Sequence, residues 1–134
     1  FLDVVENHKM IVENSGLLSV AALKQMDIKG KKVVCVLSGG NMDVITMSSI
    51  VQHGLIQRDR IFSVSVLLPD KPGELARVAQ TVADVQGNII KLEHNAAVEL
   101  RITMEAFGTD HKKKILDTLD KAGFRPKLIS AKLY

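Results

Sequence analysis

The stretch Ile61–Asn95, IFSVSVLLPDKPGELARVAQTVADVQGNIIKLEHN, decides the fold. Its first residues, Ile61–Leu68, alternate and then run apolar, which predicts a half-buried strand. Asp70 is placed to cap a helix that opens two residues later, and Gly87 stands where a left-handed C-cap would end that helix. Apolar residues recur at helical spacing between them: Leu75, Val78, Ala79, Val82 and Val85. Asn88–Glu93 then predicts a second strand.

The residues after this stretch complete a second strand–helix–strand unit. From Val98 to Glu105 apolar and polar residues alternate strictly, which predicts a strand with one face in a core and one face wet or covered by a partner. A turn at 108–110 leads into a second helix, which Gly123 ends. Phe124–Ser130 predicts the last short strand. From Ile61 onward we therefore predict βαββαβ, an α+β ferredoxin-like fold, over residues 61–134.

The connection between the second and third strands has poor turn chemistry. Only Asn95-Ala96-Ala97 separates them, without the glycine that a tight hairpin favours. Two explanations stay open: an unusually tight hairpin, or a loop that is missing from this chain. We favour the missing loop.

Residues 1–57 follow a different, α/β pattern. An apolar helix is expected at Leu17–Met26, capped by Asn14 or Ser15, and the β-branched run Val33–Leu37 predicts a central parallel strand. Ser38-Gly39-Gly40-Asn41, called the SGGN turn below, then leads into a helix that runs to about Gly54. From spacing alone, this turn is explained as well by a ligand site as by an ordinary strand-to-helix connection, the commoner of the two. The polar residues 58–60 predict a linker.

Composition excludes several classes of protein. An apolar fraction of 46% and a charged fraction of 25% are typical of a globular protein, and the net charge of +3 is mild. Basic residues are dispersed, with Lys112–Lys114 the only tight run, which argues against nucleic-acid binding. The four histidines lack metal-ligand spacing, and Cys35, the only cysteine, is expected to be a buried thiol. Without a predicted membrane span or signal peptide, and with Phe1 inside a helix, we expect a cytoplasmic fragment of a longer protein.

Two motifs resemble known families. Residues 68–89, LPDKPGELARVAQTVADVQGNI, resemble the opening of an ACT domain, a βαββαβ module that binds amino acids and regulates metabolic enzymes. Upstream, Leu37–Asn41 together with Glu13–Gly16 resembles the C-terminal end of a threonine dehydratase of the tryptophan-synthase-β-like fold, which is pyridoxal-phosphate (PLP) fold type II. In this order, the two motifs are similar to threonine dehydratases with a single C-terminal ACT domain.

The resemblance to the dehydratases implies roles for the upstream residues. Ser38 matches the serine that bonds the pyridine nitrogen of the cofactor, and Glu13 a glutamate on the same side of the ring. Gly39, Gly40 and Asn41 shape the turn. The Schiff-base lysine motif and the glycine-rich phosphate loop of the family are absent from the sequence. This chain is therefore expected to contain no catalytic residue and not to hold pyridoxal phosphate by itself, although the parent enzyme uses it.

The resemblance to ACT domains implies a homo-oligomer, in the simplest case a dimer with a continuous sheet, and an effector bound at its interface. The positions that match the effector site are Leu68, Pro69, Asp70, Lys71, Pro72, Gly73, Glu74 and Leu75, with Gly87, Asn88 and Ile89 across the interface. The expected effector is a small amino acid or AMP.

Three hypotheses for function follow. The first is the regulatory C-terminal region of a threonine dehydratase, which converts L-threonine to 2-oxobutanoate and ammonia. The second is a non-catalytic ACT amino-acid sensor with an ordinary scaffold before it. The third is the same region of a related serine dehydratase or racemase.

Overall fold

The computed structural model describes residues 1–95 and 98–131. They form two compact units, Phe1–Val51 and Gln52–Tyr134. The helices are α1 (Leu2–His8), α2 (Leu18–Leu23), α3 (Val44–Gln57), α4 (Glu74–Asp84) and α5 (Thr109–Lys121), and a 3-10 turn covers Asn14–Leu17. The strands are β1 (Ile61–Leu67), β2 (Asn88–Asn95), β3 (Glu99–Glu105) and β4 (Lys127–Ile129).

The second unit has the predicted ferredoxin-like topology. Its four strands form one antiparallel sheet in the order β2-β3-β1-β4. The two central strands, β1 and β3, pair from Ile61 with Glu105 to Leu67 with Glu99. Each helix follows the strand whose apolar face it covers, so both helices pack against one face of the sheet. The βαββαβ prediction is confirmed.

One face of the sheet forms the core with the two helices. Its buried side chains come from alternate strand positions and from the apolar stripes of α4 and α5: Phe62, Val64, Val66, Val78, Val82, Leu100, Ile102, Met104, Ile115 and Leu119. Leu68 and Phe124 extend this core beyond the strand ends. The period-two prediction for β3 is confirmed from Leu100 to Met104, whereas Val98 precedes the strand and is half exposed.

Strand ends differ from the prediction where backbone geometry intervenes. β2 continues two residues past the predicted end, because β3 offers pairing partners as far as Asn95. β4 begins only at Lys127, three residues later than expected. Arg125 has a left-handed backbone (φ 47°) and Pro126 has no N–H to donate, so neither extends the ladder. The predicted connection at Asn95–Ala97 includes residues 96 and 97, which lie outside the described residues.

The end of α4 corrects the prediction for Gly87. The left-handed residue is Gln86 (φ 62°), one position earlier. The Gln86 N–H donates to Ala83 O and the Gly87 N–H to Val82 O, which is the Schellman pattern. Gly87 is needed for packing instead: a Cβ there would lie 2.6 Å from Val82 Cγ1 and 3.1 Å from Ile115 Cδ1. At the end of α5, by contrast, the glycine itself is left-handed: Gly123 has φ 90° and follows the helix two residues after its last residue, Lys121.

Residues 1–51 depart further from the prediction. Val33–Leu37 is not a strand, and Val34 is 89% exposed. A parallel strand is held by ladder bonds to neighbouring strands, and the described residues of this unit offer none. The Cys35 thiol is consequently half buried, whereas we expected a buried one.

Helices α2 and α3 also begin and end elsewhere than predicted. The helix expected at Leu17–Met26 is reduced to α2, and neither Asn14 nor Ser15 caps it or the preceding 3-10 turn with its side chain. The helix after the SGGN turn begins at Val44, because Asp43 Oδ1 accepts the Thr46 N–H at 2.9 Å. It runs to Gln57, past the predicted end at about Gly54. None of the helices described is long and apolar enough to cross a membrane.

Candidate functional sites

The loop between β1 and α4 forms the first candidate site. Six residues of this loop and the first turn of α4, with His94 from β2 and Leu100 from β3, line a cavity of about 130 Å³, called the loop cavity below. The six are Leu68, Pro69, Asp70, Lys71, Glu74 and Leu75. They come together because β1, β2 and β3 end or begin at this edge of the sheet, where the Leu68 N–H still donates to Val98 O at 2.8 Å.

The chemistry of the loop cavity is mixed. Asp70, Lys71 and Glu74 supply two carboxylates and one ammonium, while Leu68 and Leu100 supply a buried apolar floor. Glu74 is held by Arg77 through an ion pair of 3.0 Å. Opposite charges beside an apolar floor suit a zwitterion with an aliphatic side chain.

The start of α4 corrects the prediction for Asp70. The N-cap residue is Gly73 and no side chain caps the helix, so the Asp70 carboxylate is not engaged as a cap. Gly73 has a left-handed backbone (φ 92°), and no atom lies within 4 Å of where its Cβ would stand. The glycine therefore serves the turn, and it also leaves open space in front of the first turn of the helix.

The other three predicted effector residues lie at the opposite end of the sheet. Asn88 pairs with Glu105 at the start of β2, about seven strand residues (roughly 20 Å) from the loop cavity of the same chain. The Asn88 side-chain amide donates to Glu105 Oε2 at 3.2 Å, which leaves the amide oxygen free to accept. Ile89 packs against the core and Gly87 serves helix packing. One chain therefore does not join the two predicted groups.

Sequence reasoning missed His94. Its side chain lines the loop cavity, yet no motif surrounds it. The available signal was its position: His94 ends β2, and an antiparallel hairpin places the end of β2 beside the start of β3 and hence the end of β1.

The SGGN turn forms the second candidate site, within the first unit. Here the structure brings the two upstream motifs together: the Glu13 N–H donates to Gly39 O at 3.1 Å, and a Cβ on Gly39 would lie 2.1 Å from Glu13 Oε1. Gly16 is equally constrained, because its Cβ would lie 1.7 Å from Ser38 O. Both glycines are required by this close backbone approach.

A cavity of about 250 Å³ adjoins the SGGN turn. Its lining includes Glu13 and Asn41 but not Ser38, Gly39 or Gly40: Glu13, Asn14, Ser15, Asn41, Met42, Asp43 and Thr46. The Thr46 hydroxyl and N–H donate to Asp43 and hold the pKa of this carboxyl below its ordinary value. The Ser38 side chain is exposed and makes no hydrogen bond to the residues that the structure describes. A hydroxyl without a partner among these residues is free to donate a hydrogen bond to a ring nitrogen.

Comparisons with known proteins agree with this architecture. Residues 62–124 match the family model of the ACT domain. The chain is 36% identical over 132 residues to an L-threonine ammonia-lyase of Geobacter sulfurreducens, covering 90% of this chain and 33% of that protein. It is 29% identical over 137 residues to an L-threonine ammonia-lyase of Thermotoga maritima, covering 96% and 34%.

A shorter match covers part of the chain. It is 35% identity over 94 residues to a biosynthetic L-threonine dehydratase of Corynebacterium glutamicum, covering 69% of this chain and 22% of that protein. The chain thus spans about a third of the length, or less, of the curated relatives it matches.

Proposed function

Residues 62–124 of this chain are an ACT domain. From this we propose that the chain is the regulatory C-terminal region of a pyridoxal-phosphate-dependent threonine dehydratase. Similarity to two L-threonine ammonia-lyases over nearly the whole chain supports this proposal. The parent protein would convert L-threonine to 2-oxobutanoate and ammonia. The ACT domain would bind an amino-acid effector and hold subunits together.

The first unit would contribute one edge of the cofactor site. When bound, pyridoxal phosphate would supply the electron sink for β-elimination. The Ser38 hydroxyl would meet its pyridine nitrogen, and a neutral hydroxyl leaves that nitrogen unprotonated. Glu13, fixed against Gly39, would lie on the same side.

The outer strand β2 supports the proposed assembly. It forms one edge of the sheet and is eight residues long. Two of its apolar residues, Ile90 and Leu92, are 41% and 44% exposed. The opposite edge, β4, has only three residues. A long edge strand with exposed apolar side chains is a template for pairing with another strand. We therefore propose that subunits contact each other through β2.

Pairing of β2 with its symmetry mate would also complete the effector site. In a two-fold dimer the two β2 strands run antiparallel, so the end of one strand lies beside the start of the other. The loop cavity of one subunit would then face Asn88 of the partner subunit. This arrangement joins the two groups of predicted effector residues that one chain keeps roughly 20 Å apart. Lys71 would receive the effector carboxylate, and Asp70 with the partner's Asn88 the ammonium.

Assembly is tested by mass in solution. Light scattering of the 134-residue chain should give a dimer. Leu92→Lys should give a monomer, because it places a charge in the β2 contact, and Leu128→Lys on β4 serves as the matched control. If Leu92→Lys remains a dimer and Leu128→Lys becomes a monomer, the subunits contact each other through β4 and the proposed β2 contact is wrong.

Effector binding is tested by calorimetric titration with isoleucine, valine, leucine, threonine, serine and AMP. An aliphatic amino acid should saturate the site, and Asp70→Asn should weaken it by about tenfold, the loss expected for one charge-assisted hydrogen bond. Asp117→Asn, on the exposed surface of α5, is the control for the same change of charge. A stable dimer that binds none of these ligands would leave the assembly role and remove the effector role.

A further inference from the structure

The face of the sheet that the helices leave uncovered carries polar side chains. Ser63 and Thr103 lie opposite each other on β1 and β3, only 3% and 4% exposed. Their hydroxyl oxygens are 2.7 Å apart. This mutual hydrogen bond offsets much of the cost of burying two hydroxyls at the centre of a sheet, a cost that an apolar pair would not have at all. No contact within the core needs them, since the core lies on the other face.

A cavity of about 190 Å³ lies on this hydroxyl pair. Its walls are Glu93 on β2, Arg101 on β3, and Ile129 and Ser130 at the end of β4. The volume is below the roughly 300–1,000 Å³ of pockets for drug-sized molecules, so it suits a small metabolite. We call it the sheet-face cavity. It shares no lining residue with the loop cavity.

The two charged side chains of the sheet-face cavity do not form an ion pair with each other. Glu93 and Arg101 stand directly opposite, yet each pairs along its own strand: Glu93 with Lys91 at 3.1 Å, and Arg101 Nε with Glu99 at 3.7 Å. Only Nε of the Arg101 guanidinium takes part in that pair. Its two terminal nitrogens have no partner within residues 1–95 and 98–131. These nitrogens are the forked donors that bind a carboxylate in parallel.

Charge balance narrows the class of ligand. One cation (Arg101) and one anion (Glu93) line the cavity, and their ion-pair partners Glu99 and Lys91 bring the local charge to zero, so it favours a neutral zwitterion over a phosphate or a dianion. Directly opposed Cβ atoms in a sheet are about 5 Å apart, which lets Arg101 and Glu93 reach both ends of one compact molecule. Between Ser63 and Thr103 one O–H is used in their mutual bond, so the second remains to donate.

We infer that the sheet-face cavity binds a small α-amino acid with a hydroxyl side chain, as a second site separate from the proposed effector site. Arg101 holds the carboxylate, Glu93 holds the ammonium, and the Ser63–Thr103 pair bonds the side-chain hydroxyl. Ile129 closes the apolar side and limits the length of the side chain.

The binding site is located by ¹⁵N–¹H correlation NMR, which follows the amide chemical shifts of the 134-residue chain during titration with L-serine, L-threonine and L-alanine. Serine and threonine should shift the amides of residues 63, 93, 101 and 103, and alanine should bind less tightly because it lacks the hydroxyl. Arg101→Gln should weaken binding by at least about tenfold. Arg125→Gln removes the same charge from the adjoining cavity and should leave binding unchanged.

Two further variants keep the test decisive. Glu93→Gln should weaken binding as Arg101→Gln does, and Thr103→Val should abolish the advantage of serine over alanine. The inference is overturned if no amino acid shifts these amides, or if Arg101→Gln and Glu93→Gln bind as the parent chain does. Shifts confined to residues 68–75 would also overturn it, while leaving the proposed effector site intact.

Discussion

The two units of this chain differ in where their apolar side chains go. In Gln52–Tyr134 alternate strand residues and two helix stripes meet in one core, with Val64, Ile102 and Ile115 fully buried. In Phe1–Val51 the buried hydrophobic side chains of the described residues are Leu2, Val4 and Val12, while the run Val33–Val36 is largely exposed. The comparison shows that a strong apolar pattern buries nothing unless the chain supplies the element it packs against.

The largest effect expected from this comparison is a core truncation. Ile102→Ala removes a fully buried side chain from β3 and should lower the free energy of unfolding of the second unit by about 2–5 kcal/mol. Val34→Ala, at an 89% exposed position, should change the free energy of unfolding of the first unit by less than about 0.5 kcal/mol. Urea unfolding followed on amide NMR signals of each unit measures both. Equal losses would show that the apolar run of the first unit is buried after all.

A packing change at Gly87 should come next. Gly87→Ala places a Cβ 2.6 Å from Val82 Cγ1, and both Val82 and Ile115 belong to the core, so overpacking should cost about 1–3 kcal/mol. In the first unit, a Cβ on Gly30 would have no atom within 4 Å, and the backbone there is left-handed (φ 75°). Gly30→Ala should therefore lower stability only through the strain of an alanine in that conformation. Denaturant midpoints compare the two variants. A smaller loss at Gly87 than at Gly30 would contradict the close approach.

The two helix ends of the second unit give a smaller, opposed pair of effects. Gln86→Gly relieves a left-handed non-glycine residue and should stabilise the unit by about 1 kcal/mol. Gly123→Ala introduces the same strain at φ 90° and should destabilise it by about 1 kcal/mol. Thermal unfolding of the pair shows the sign directly. Loss of stability in Gln86→Gly would mean that the glutamine side chain outweighs the backbone strain.

The smallest expected effect concerns acid stability. Hydrogen bonds from Lys112 (2.6 Å) and Thr109 (2.9 Å) hold the pKa of Asp59 below its ordinary value and tie residue 59 to α5. Because the folded pKa is lower than the unfolded value of about 3.9, the stabilisation is complete above about pH 4. It is lost as the pH falls through the folded pKa.

Paired variants check this acid effect. Asp59→Asn should lower the stability of the second unit at pH 7 and flatten its loss below about pH 4, as followed by unfolding across pH. Asp43→Asn removes a carboxylate whose pKa is also lowered, but its partner Thr46 is only three residues away in the first unit. It should therefore leave the acid response of the second unit unchanged. An unchanged acid response in Asp59→Asn would show that this ion pair contributes nothing.

The candidate sites differ in how far the sequence predicts them. The loop from Leu68 to Leu75 was predictable as a site because its proline, glycine and charged residues follow a strand and open a helix. His94 and the sheet-face cavity were not, because only the pairing of three strands brings Ser63 beside Glu93 and Arg101, and His94 beside the loop. For the SGGN turn, sequence could indicate the turn but not the contact of Gly39 with Glu13.

By itself, the sequence determined the order of strands and helices after Ile61 and which positions face the core, because a period of two or 3.6 residues encodes the buried side of each element. Tertiary structure alone decided that Gly87 is required by packing rather than by a left-handed backbone, and that Val33–Leu37 stays out of a sheet. Both outcomes depend on neighbours: Val82 and Ile115 stand where a Cβ on residue 87 would go, and no described strand lies beside residues 33–37. Local pattern carries no information about those neighbours.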